Sequence, residues 1–254
     1  MRFACLGSGS KGNAWVVQAN DTRIMVDCGF GPRETARRLQ RLGVELEQID
    51  AILVTHEHSD HGRGAAKTAE RARCPVYLSH GSHAMLDATG DAPCAVHRIS
   101  AQEHFDLKDM HITAYTVPHD AREPLQFAFS DGARRFALLT DAGHATPHME
   151  AMLSDCDAIA LECNHDVERL RNGSYPAALK RRILGPWGHL DNEAAAALLG
   201  KVAGPRLKHI VAAHLSEENN SPDLARGALA SALHCTPDWI AVADQEDGLA
   251  WRTL

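Results

Sequence analysis

The chain has 254 residues, of which 44% are hydrophobic and 23% are charged, and its formal net charge at pH 7 is −7. This length suits one layered α/β domain, and we predict a single domain over residues 1–254. The acidic balance argues against binding nucleic acid through a generally basic surface. No apolar run is long enough for a membrane span or a signal peptide, which predicts a cytoplasmic protein with no membrane partner; the oligomeric state stays open.

Seven cysteines are scattered singly, without a Cys-x-x-Cys pair. An odd number at irregular spacing does not resemble a disulfide framework, so reduced core thiols are predicted. Cys163 is the exception, because its neighbours are polar and of metal-ligand type.

The chain begins with predicted strands over residues 3–6, 14–19 and 22–26. The small-residue turn at 7–13 offers backbone N–H groups that could cradle a phosphate, or it could be a flexible hairpin. Asp27 follows the third strand, and we predict a structural role for it with some orientation of a ligand. A helix over residues 32–42 comes next. Arg33, Arg37 and Arg41 share one of its faces, with Arg38 beside them, and these arginines are predicted to form a solvated face in preference to a nucleic-acid contact.

A histidine-rich loop follows a short apolar strand predicted over residues 51–54. Its sequence is Thr55-His56-Glu57-His58-Ser59-Asp60-His61-Gly62. Packing explains this loop poorly, because unpaired imidazole and carboxylate groups in an apolar interior cost on the order of several kcal/mol. If the loop is extended, His56 and His58 point the same way and can share one metal ion, and Asp60 and His61 are placed for a second. A solvated, histidine-rich loop is the alternative.

The remaining apolar patterns predict alternating strands and helices. Helices are predicted over 64–73, 82–88, 147–153, 175–184, 191–202 and 222–233, and strands over 75–78, 110–117, 126–130, 135–139, 158–161 and 207–213, with a strand pair within 239–254. Four of the strands end just before a residue of metal-ligand type: His56, His119, Asp141 and His214. Together they predict that strands of two sheets deliver side chains to one edge.

The His-x-His-x-Asp-His motif after a hydrophobic strand resembles that of the metallo-β-lactamase fold hydrolases, and the resemblance runs the length of the chain. It implies an αββα sandwich, in which two mixed β-sheets pack face to face with helices outside. It also implies two divalent metal ions per chain, manganese or zinc. By the family pattern, one ion has the ligands His56, His58 and His119. The other has Asp60, His61 and His214, and Asp141 bridges the two.

Six separated blocks narrow the resemblance to the YycJ/WalJ-type proteins, which are proposed DNA exonucleases related distantly to ribonuclease Z. The blocks cover residues 8–13, 162–166, 173–176, 179–183, 188–193 and 213–220. The implied activity is a 5′-to-3′ exonuclease on nucleic acid, with DNA preferred over RNA. Two ions roughly 3.5–4 Å apart can generate a bridging hydroxide that attacks the phosphate.

The resemblance also implies roles for individual residues. His189 matches a histidine that protonates the leaving oxygen and Glu162 matches the glutamate that orients it, while Asp60 would orient or deprotonate the water. For His189 the alternative is a helix cap. Candidate substrate and phosphate contacts are Ser8, Ser10, Asn13, Asn164, His165, Lys180 and Arg181.

Two features of this region stay open. The basic residues around Lys180 could track a nucleic-acid backbone or form a solvated helix, and Trp187 could stack on a base or lie in the core. Asp191 stands where the family usually has Ser, which adds negative charge near the phosphate site but suits a helix N-cap.

Two other functions remain as alternatives at this stage. One is a phosphodiesterase of the same fold acting on small or cyclic phosphates. The other, less favoured, is a metal-binding regulatory protein without catalytic activity.

Overall fold

The protein is built on two seven-stranded mixed sheets. The structure is a computed structural model that describes residues 1–87 and 94–254, with the backbone alone for 85–87. The first sheet contains β1 (Arg2–Gly7), β2 (Ala14–Ala19), β3 (Thr22–Val26), β4 (Ala51–Leu53), β5 (Val76–Leu78), β6 (Val96–Arg98) and β14 (Leu249–Thr253). The second contains β7 (His104–Leu107), β8 (Met110–Thr116), β9 (Leu125–Ser130), β10 (Arg135–Leu139), β11 (Ala158–Glu162), β12 (His209–Ala213) and β13 (Ala241–Val242). The strand orders are β14-β1-β2-β3-β4-β5-β6 and β13-β12-β11-β10-β9-β8-β7.

The α-helices of the described residues occupy the connections between strands. They are α1 (Pro32–Gln40), α2 (Ser59–Gly62), α3 (Ala65–Ala72), α4 (His80–Asp87), α5 (Pro147–Leu153), α6 (Val167–Asn172), α7 (Ala177–Ile183), α8 (Asn192–Val202) and α9 (Pro222–Leu233). Side chains cap several N-termini: Asp191, for example, accepts a hydrogen bond of 2.8 Å from the backbone N–H of Ala194 at the start of α8. Within residues 1–87 and 94–254, no helix is both long and apolar enough to cross a membrane.

Three apolar layers hold this architecture together. The central layer lies between the sheets, where the rings of Phe3 on β1 and Phe136 on β10 stack with centroids 4.4 Å apart. Helices α1 and α3 pack on the outer face of the first sheet, and α5, α8 and α9 pack on that of the second. The predicted αββα sandwich is therefore confirmed.

The direction of the strands decides where a site can form. Strands β3 to β6 are parallel to one another, and so are β10 to β13. In each sheet the residues that follow these strands meet at one edge, where α/β proteins place their ligands. His56, Asp141 and His214 follow β4, β10 and β12, and Glu162 is the last residue of β11.

Most predicted elements agree with the structure to within a few residues, including the predicted helix at 82–88, which is α4, although residue 88 lies outside the described residues. Strands β6 and β7 and the short helices α2 and α6 were not predicted. The solvated face predicted for α1 is wrong for Arg38, whose side chain is only 4% exposed. Its guanidinium donates to the carbonyl oxygens of Leu6 (2.8 Å), Gln245 (2.8 Å) and Glu246 (3.0 Å).

Candidate metal centre and active site

Ligand-type atoms from both sheets converge at the shared edge. They form overlapping groups in which the atoms of each group lie within 4.8 Å of one another. One group contains His56, His58 and His119, and another contains Asp60, His61 and His214. These are the two sets that the sequence predicts for two ions. Two further groups share Asp141: one adds it to His56 and His61, and the other joins it to Glu162, His189 and His214.

The first group directs ring nitrogens at one another. Nδ1 of His58 lies 3.0 Å from Nε2 of His56 and 3.3 Å from Nε2 of His119. Nδ1 of His119 lies 3.0 Å from the carbonyl oxygen of Gly188, which can only accept, so in the neutral ring Nε2 carries a lone pair. An ion between these nitrogens would use that lone pair.

Thr55 and Asp27 fix the tautomer of two more histidines. The carboxylate of Asp27 can only accept, so the hydroxyl of Thr55 donates to it (3.0 Å) and accepts from Nδ1 of His56 (2.9 Å). Nδ1 of His61 donates to the other oxygen of Asp27 at 2.8 Å. In their neutral form, both rings therefore present a lone pair on Nε2, an orientation that metal-binding histidines commonly owe to such partners. The predicted orienting role of Asp27 agrees with these contacts.

The carboxylate of Asp141 lies between the two groups. Its Oδ2 is 3.0 Å from Nε2 of His61, and its Oδ1 is 3.8 Å from Nε2 of His119. Two buried side-chain atoms at this site, Oδ2 of Asp141 and Nε2 of His214, make no hydrogen bond within the described part of the chain. Buried polar atoms without partners are rare, and these two face other ligand-type atoms. Imidazoles and carboxylates in this arrangement fit divalent metal ions such as zinc or manganese.

Electrostatics at the site favour added positive charge. Burial opposes the ionised form of Asp141, but the nearby His214 and His61 outweigh it and hold its pKa well below its usual range. Burial likewise opposes the charged form of His214, yet Asp141, Asp60 and Glu162 raise its pKa to about 10. The carboxylates and these imidazoles therefore stabilise each other's charged forms, and divalent ions would interact favourably with the same carboxylates.

The backbone is also unusual at the residues that carry these side chains. Asp27, Asp141 and His214 have φ values of 61°, 53° and 55°, in the left-handed region that non-glycine residues seldom adopt. Asp27 and His214 directly follow β3 and β12, and Asp141 lies two residues after the end of β10. Strain of this kind persists where the surrounding structure imposes it, and it is frequent at functional sites.

Glu162 connects the metal-ligand groups to His189. Its Oε1 accepts from Nδ1 of His189 (2.9 Å) and of His214 (3.0 Å), and its Oε2 accepts from the backbone N–H groups of Ala142 (2.9 Å) and Leu190 (3.0 Å). Burial disfavours the carboxylate, but His189 and His214 hold its pKa at about 2. Nδ1 of His189 is engaged by Glu162, its Nε2 makes no hydrogen bond to residues 1–87 or 94–254, and its ring lines the cleft. The N-cap of α8 is Asp191, not His189.

The candidate substrate contacts fall into two sets. Ser10 and Asn164 line the open cleft at the ligand groups. Ser8 and Asn13 are buried behind it: the Ser8 hydroxyl accepts from the backbone N–H of His214 (2.9 Å), and Nδ2 of Asn13 lies 3.1 Å from Nε2 of His61. His165 is also buried and contacts Oδ1 of Asn164 through Nδ1 at 3.3 Å.

The two basic candidates on α7 lie outside the residues that line the cleft. Lys180 donates to the carbonyl oxygens of Arg171 (2.8 Å) and Gly173 (2.7 Å), and Arg181 is exposed. Arg182 lines the cleft instead, together with Tyr175, Leu179, Ile183 and Ser216. Its guanidinium pairs with Asp120, with Nη2 3.0 Å from Oδ1. Asp120 was not singled out from the sequence, although its position directly after His119 was a signal.

Cys163 is a core residue and not a ligand candidate. Its side chain is fully buried among Leu161, Leu190 and their neighbours, and burial raises the pKa of its thiol. Apolar surroundings of this kind make a cysteine unreactive.

Comparisons with known proteins agree with this geometry. A family model described as a beta-lactamase superfamily domain matches residues 22–211. Exodeoxyribonuclease YycJ of Bacillus anthracis is 37% identical over 235 residues, which cover 92% of this chain and 89% of the relative. The chain belongs to the YycJ/WalJ family of the metallo-β-lactamase fold.

Two further comparisons extend this result. Exodeoxyribonuclease WalJ of Streptococcus pneumoniae is 34% identical to this YycJ/WalJ-family chain over 239 residues, which cover 91% of this chain and 88% of the relative. The crystal structure of Zn²⁺-bound PqqB from Methylobacterium extorquens superposes with a TM-score of 0.77 at 16% identity over 100% of both chains, which shows the shared fold. The predicted family and fold are confirmed, and the chain is a metal-dependent hydrolase.

Proposed function

We propose that this YycJ/WalJ-family protein is a dinuclear metal-dependent phosphodiesterase that shortens DNA from its 5′ end. The observation that carries the proposal is the position of Asp141 between two groups of ligand-type side chains, with His189 beside them. The relatives named exodeoxyribonuclease support DNA as the substrate. The 5′-to-3′ polarity rests on the family resemblance.

The proposed ligands are His56, His58 and His119 for one divalent ion, Asp60, His61 and His214 for the other, and Asp141 for both. Manganese and zinc both suit this set. When bound, two such ions polarise the phosphate and activate water for attack. Asp60 is partly exposed to the cleft and would orient the attacking water.

His189 supplies the proton for the leaving oxygen. Its Nδ1–H is held by the ionised Glu162, so the proton that it gives up is the one on Nε2, the nitrogen that remains free at the cleft. Glu162 stays ionised throughout, because two backbone N–H groups and two imidazoles stabilise its negative charge. The carboxylate thereby positions the proton donor.

Cleavage of a single-stranded DNA with a 5′-phosphate tests the proposal. The strand is labelled at either end and incubated with Mn²⁺ or Zn²⁺, beside an RNA of the same sequence. We expect progressive shortening from the 5′ end, slower cleavage of the RNA, and a loss of about 10²- to 10⁴-fold for His189→Ala. His111→Ala is the matched control, because this exposed histidine pairs with Asp106 away from the cleft.

Bis-p-nitrophenyl phosphate separates the proposal from its alternatives. Its nitrophenolate leaves without protonation, so His189→Ala should lose far less activity on this diester than on DNA. Turnover of the small diester without attack on DNA would instead identify a small-molecule phosphodiesterase. Metal binding without turnover of either substrate would identify a non-catalytic protein.

A further inference from the structure

Trp187 is exposed beside the active site. Of its side chain, 57% is accessible, more than for any other large hydrophobic residue in the part of the chain described. It lies in the segment that joins α7 to α8, two residues before His189. A core role is thereby ruled out, and the indole is accessible to a ligand.

The segment that carries Trp187 is fixed at several points. The carbonyl oxygen of Trp187 accepts from the backbone N–H of Asp120 at 3.0 Å, and Gly188 accepts from Nδ1 of His119 at 3.0 Å. Nδ1 of His144 donates to the carbonyl oxygen of Pro186 at 2.8 Å. The indole is therefore presented on the same backbone that carries His189 and contacts His119.

Close backbone packing leaves this segment little room to move. A Cβ on Gly143 would lie 2.3 Å from the carbonyl oxygen of Pro186, and one on Gly188 would lie 2.1 Å from that of Ile183. Both distances are shorter than any real contact, so glycine is required at each position. A preorganised aromatic side chain loses little conformational entropy when a ligand stacks on it.

The surroundings of Trp187 suit a nucleic-acid strand. The imidazole of His144 meets the indole edge-on, with centroids 6.5 Å apart and an interplanar angle of 76°. Arg182 lines the cleft and is bonded to Asp120, the residue that also binds the Trp187 carbonyl. Proteins that bind single strands combine exposed aromatic rings, on which bases stack, with cationic side chains that track the phosphates, and Trp187 and Arg182 supply one of each on either side of Asp120.

We propose that Trp187 is a stacking platform for a nucleobase close to the scissile phosphate of a single-stranded nucleic acid, and that Arg182 contacts the adjoining backbone. This inference rests on the proposed nuclease function. Stacking accepts any base, because every base has a π-face. In a duplex interior that face is covered by neighbouring base pairs, so the platform selects single strands and frayed ends.

The test compares Trp187→Ala and Trp187→Phe with Trp239→Ala. Trp239 is a matched control, because it is 42% exposed and precedes β13, at the end of the sheet opposite to the site. Binding is measured by fluorescence anisotropy with a non-cleavable phosphorothioate oligothymidylate, both intact and with one abasic position moved along the first nucleotides. Cleavage is measured on the phosphodiester strand and on bis-p-nitrophenyl phosphate.

We expect Trp187→Ala to weaken binding of the intact strand by roughly 10- to 100-fold, Trp187→Phe to retain most of it, and Trp239→Ala to bind as the wild type does. One abasic position should weaken binding by the wild type by a similar factor, and it should not weaken binding by Trp187→Ala any further. The selectivity of Trp187→Ala for DNA over the small diester should fall by the same factor.

The outcomes separate this inference from the proposed function. The platform would be overturned, even if DNA is cleaved, if Trp187→Ala bound the intact strand as tightly as the wild type does. It would also be overturned if Trp187→Ala lost the same factor in affinity for the intact and the abasic strands. If Trp187→Ala loses base-dependent binding but the wild type cleaves no DNA, the platform is supported and the proposed nuclease function is overturned. If the wild type does not bind single-stranded DNA, both fail.

Discussion

Glu162 holds His189 through a hydrogen bond of 2.9 Å between Oε1 and Nδ1. The same oxygen is 3.0 Å from Nδ1 of His214, so one carboxylate positions both the proposed proton donor and a proposed metal ligand. Its other oxygen accepts only backbone N–H groups. Every partner of Glu162 is thus a donor, and no position around it suits an amide NH₂ group.

Glu162→Gln should therefore be severe despite its small change in shape. The new NH₂ group would face donors whichever way it turned, and we expect kcat on DNA to fall at least about 100-fold with a loss of about 1–3 kcal/mol in stability. Steady-state kinetics and urea unfolding measure the two effects. Glu150→Gln is the control, since Glu150 pairs with Lys201 on the outer face of the molecule. Near-normal kcat in Glu162→Gln would contradict the positioning role.

Asp27→Asn should weaken metal binding. Asparagine tolerates the left-handed backbone at this position, but it offers one acceptor oxygen where Thr55 and His61 use two. Loss of such an orienting partner typically costs 10- to 100-fold in metal affinity. Titration with Zn²⁺ against a competing chelator measures the change. Asp157→Asn, a buried carboxylate at the opposite end of β11, should keep wild-type affinity, and equal losses in both variants would refute the specific role of Asp27.

Arg38→Met should destabilise the fold. The buried guanidinium satisfies three carbonyl oxygens and lies 4.1 Å from the Phe30 ring centroid. Because buried acceptors without partners are costly, we expect a loss of roughly 2–4 kcal/mol in the free energy of unfolding. Arg37→Met on the same helix removes an exposed pair with Glu34 and should cost much less, because exposed ion pairs are screened by solvent. Similar unfolding midpoints in the two variants would show that the buried contacts contribute little.

Stability in acid should depend on Asp157. Burial opposes its ionised form, but Arg206, the backbone N–H of Arg135 and Arg134 outweigh burial and lower its pKa. A lowered folded-state pKa means that the carboxylate stabilises the protein above its unfolded pKa of about 3.9, and that this contribution disappears as pH falls through the folded value.

Unfolding in urea between pH 7 and pH 3, with metal removed from both proteins, tests this dependence. The wild type should exceed Asp157→Asn in stability near neutral pH, and the difference should shrink below about pH 4. A difference that stays constant across this range would show that the ionisation of Asp157 does not contribute.

The sequence predicted the strands of the sandwich well where they are buried on both faces. Strands β10, β11 and β12 each contain four consecutive apolar residues, and a polar residue of the site follows each run closely. The hydrophobic pattern and the ligand-type residues therefore indicated the same strand ends. Strands β6 and β7 were missed because their side chains are mostly exposed and their residues include charged and histidine side chains. The short helix α6 lacks an apolar period, and its N-cap at Asp166 was the available signal.

Contacts between distant parts of the chain were harder to predict than the ligand-type residues. Arg38 resembles its exposed neighbours, and its partner Gln245 is 207 residues away. Trp187 left two possibilities open because local composition does not determine exposure. Arg182 could not be distinguished from Lys180 and Arg181 until the orientation of α7 was known, since successive helical residues point about 100° apart.

The peptide unit between Gly188 and His189 connects the proposed metal ligand His119 with the proposed proton donor His189. The carbonyl group of Gly188 fixes the ring of His119, and the next residue is His189. A displacement of this unit would disturb a proposed metal ligand and the proposed proton donor together. We therefore expect metal binding at His119 and substrate binding at His189 to be coupled, and by thermodynamic reciprocity each would then change the affinity for the other by the same factor.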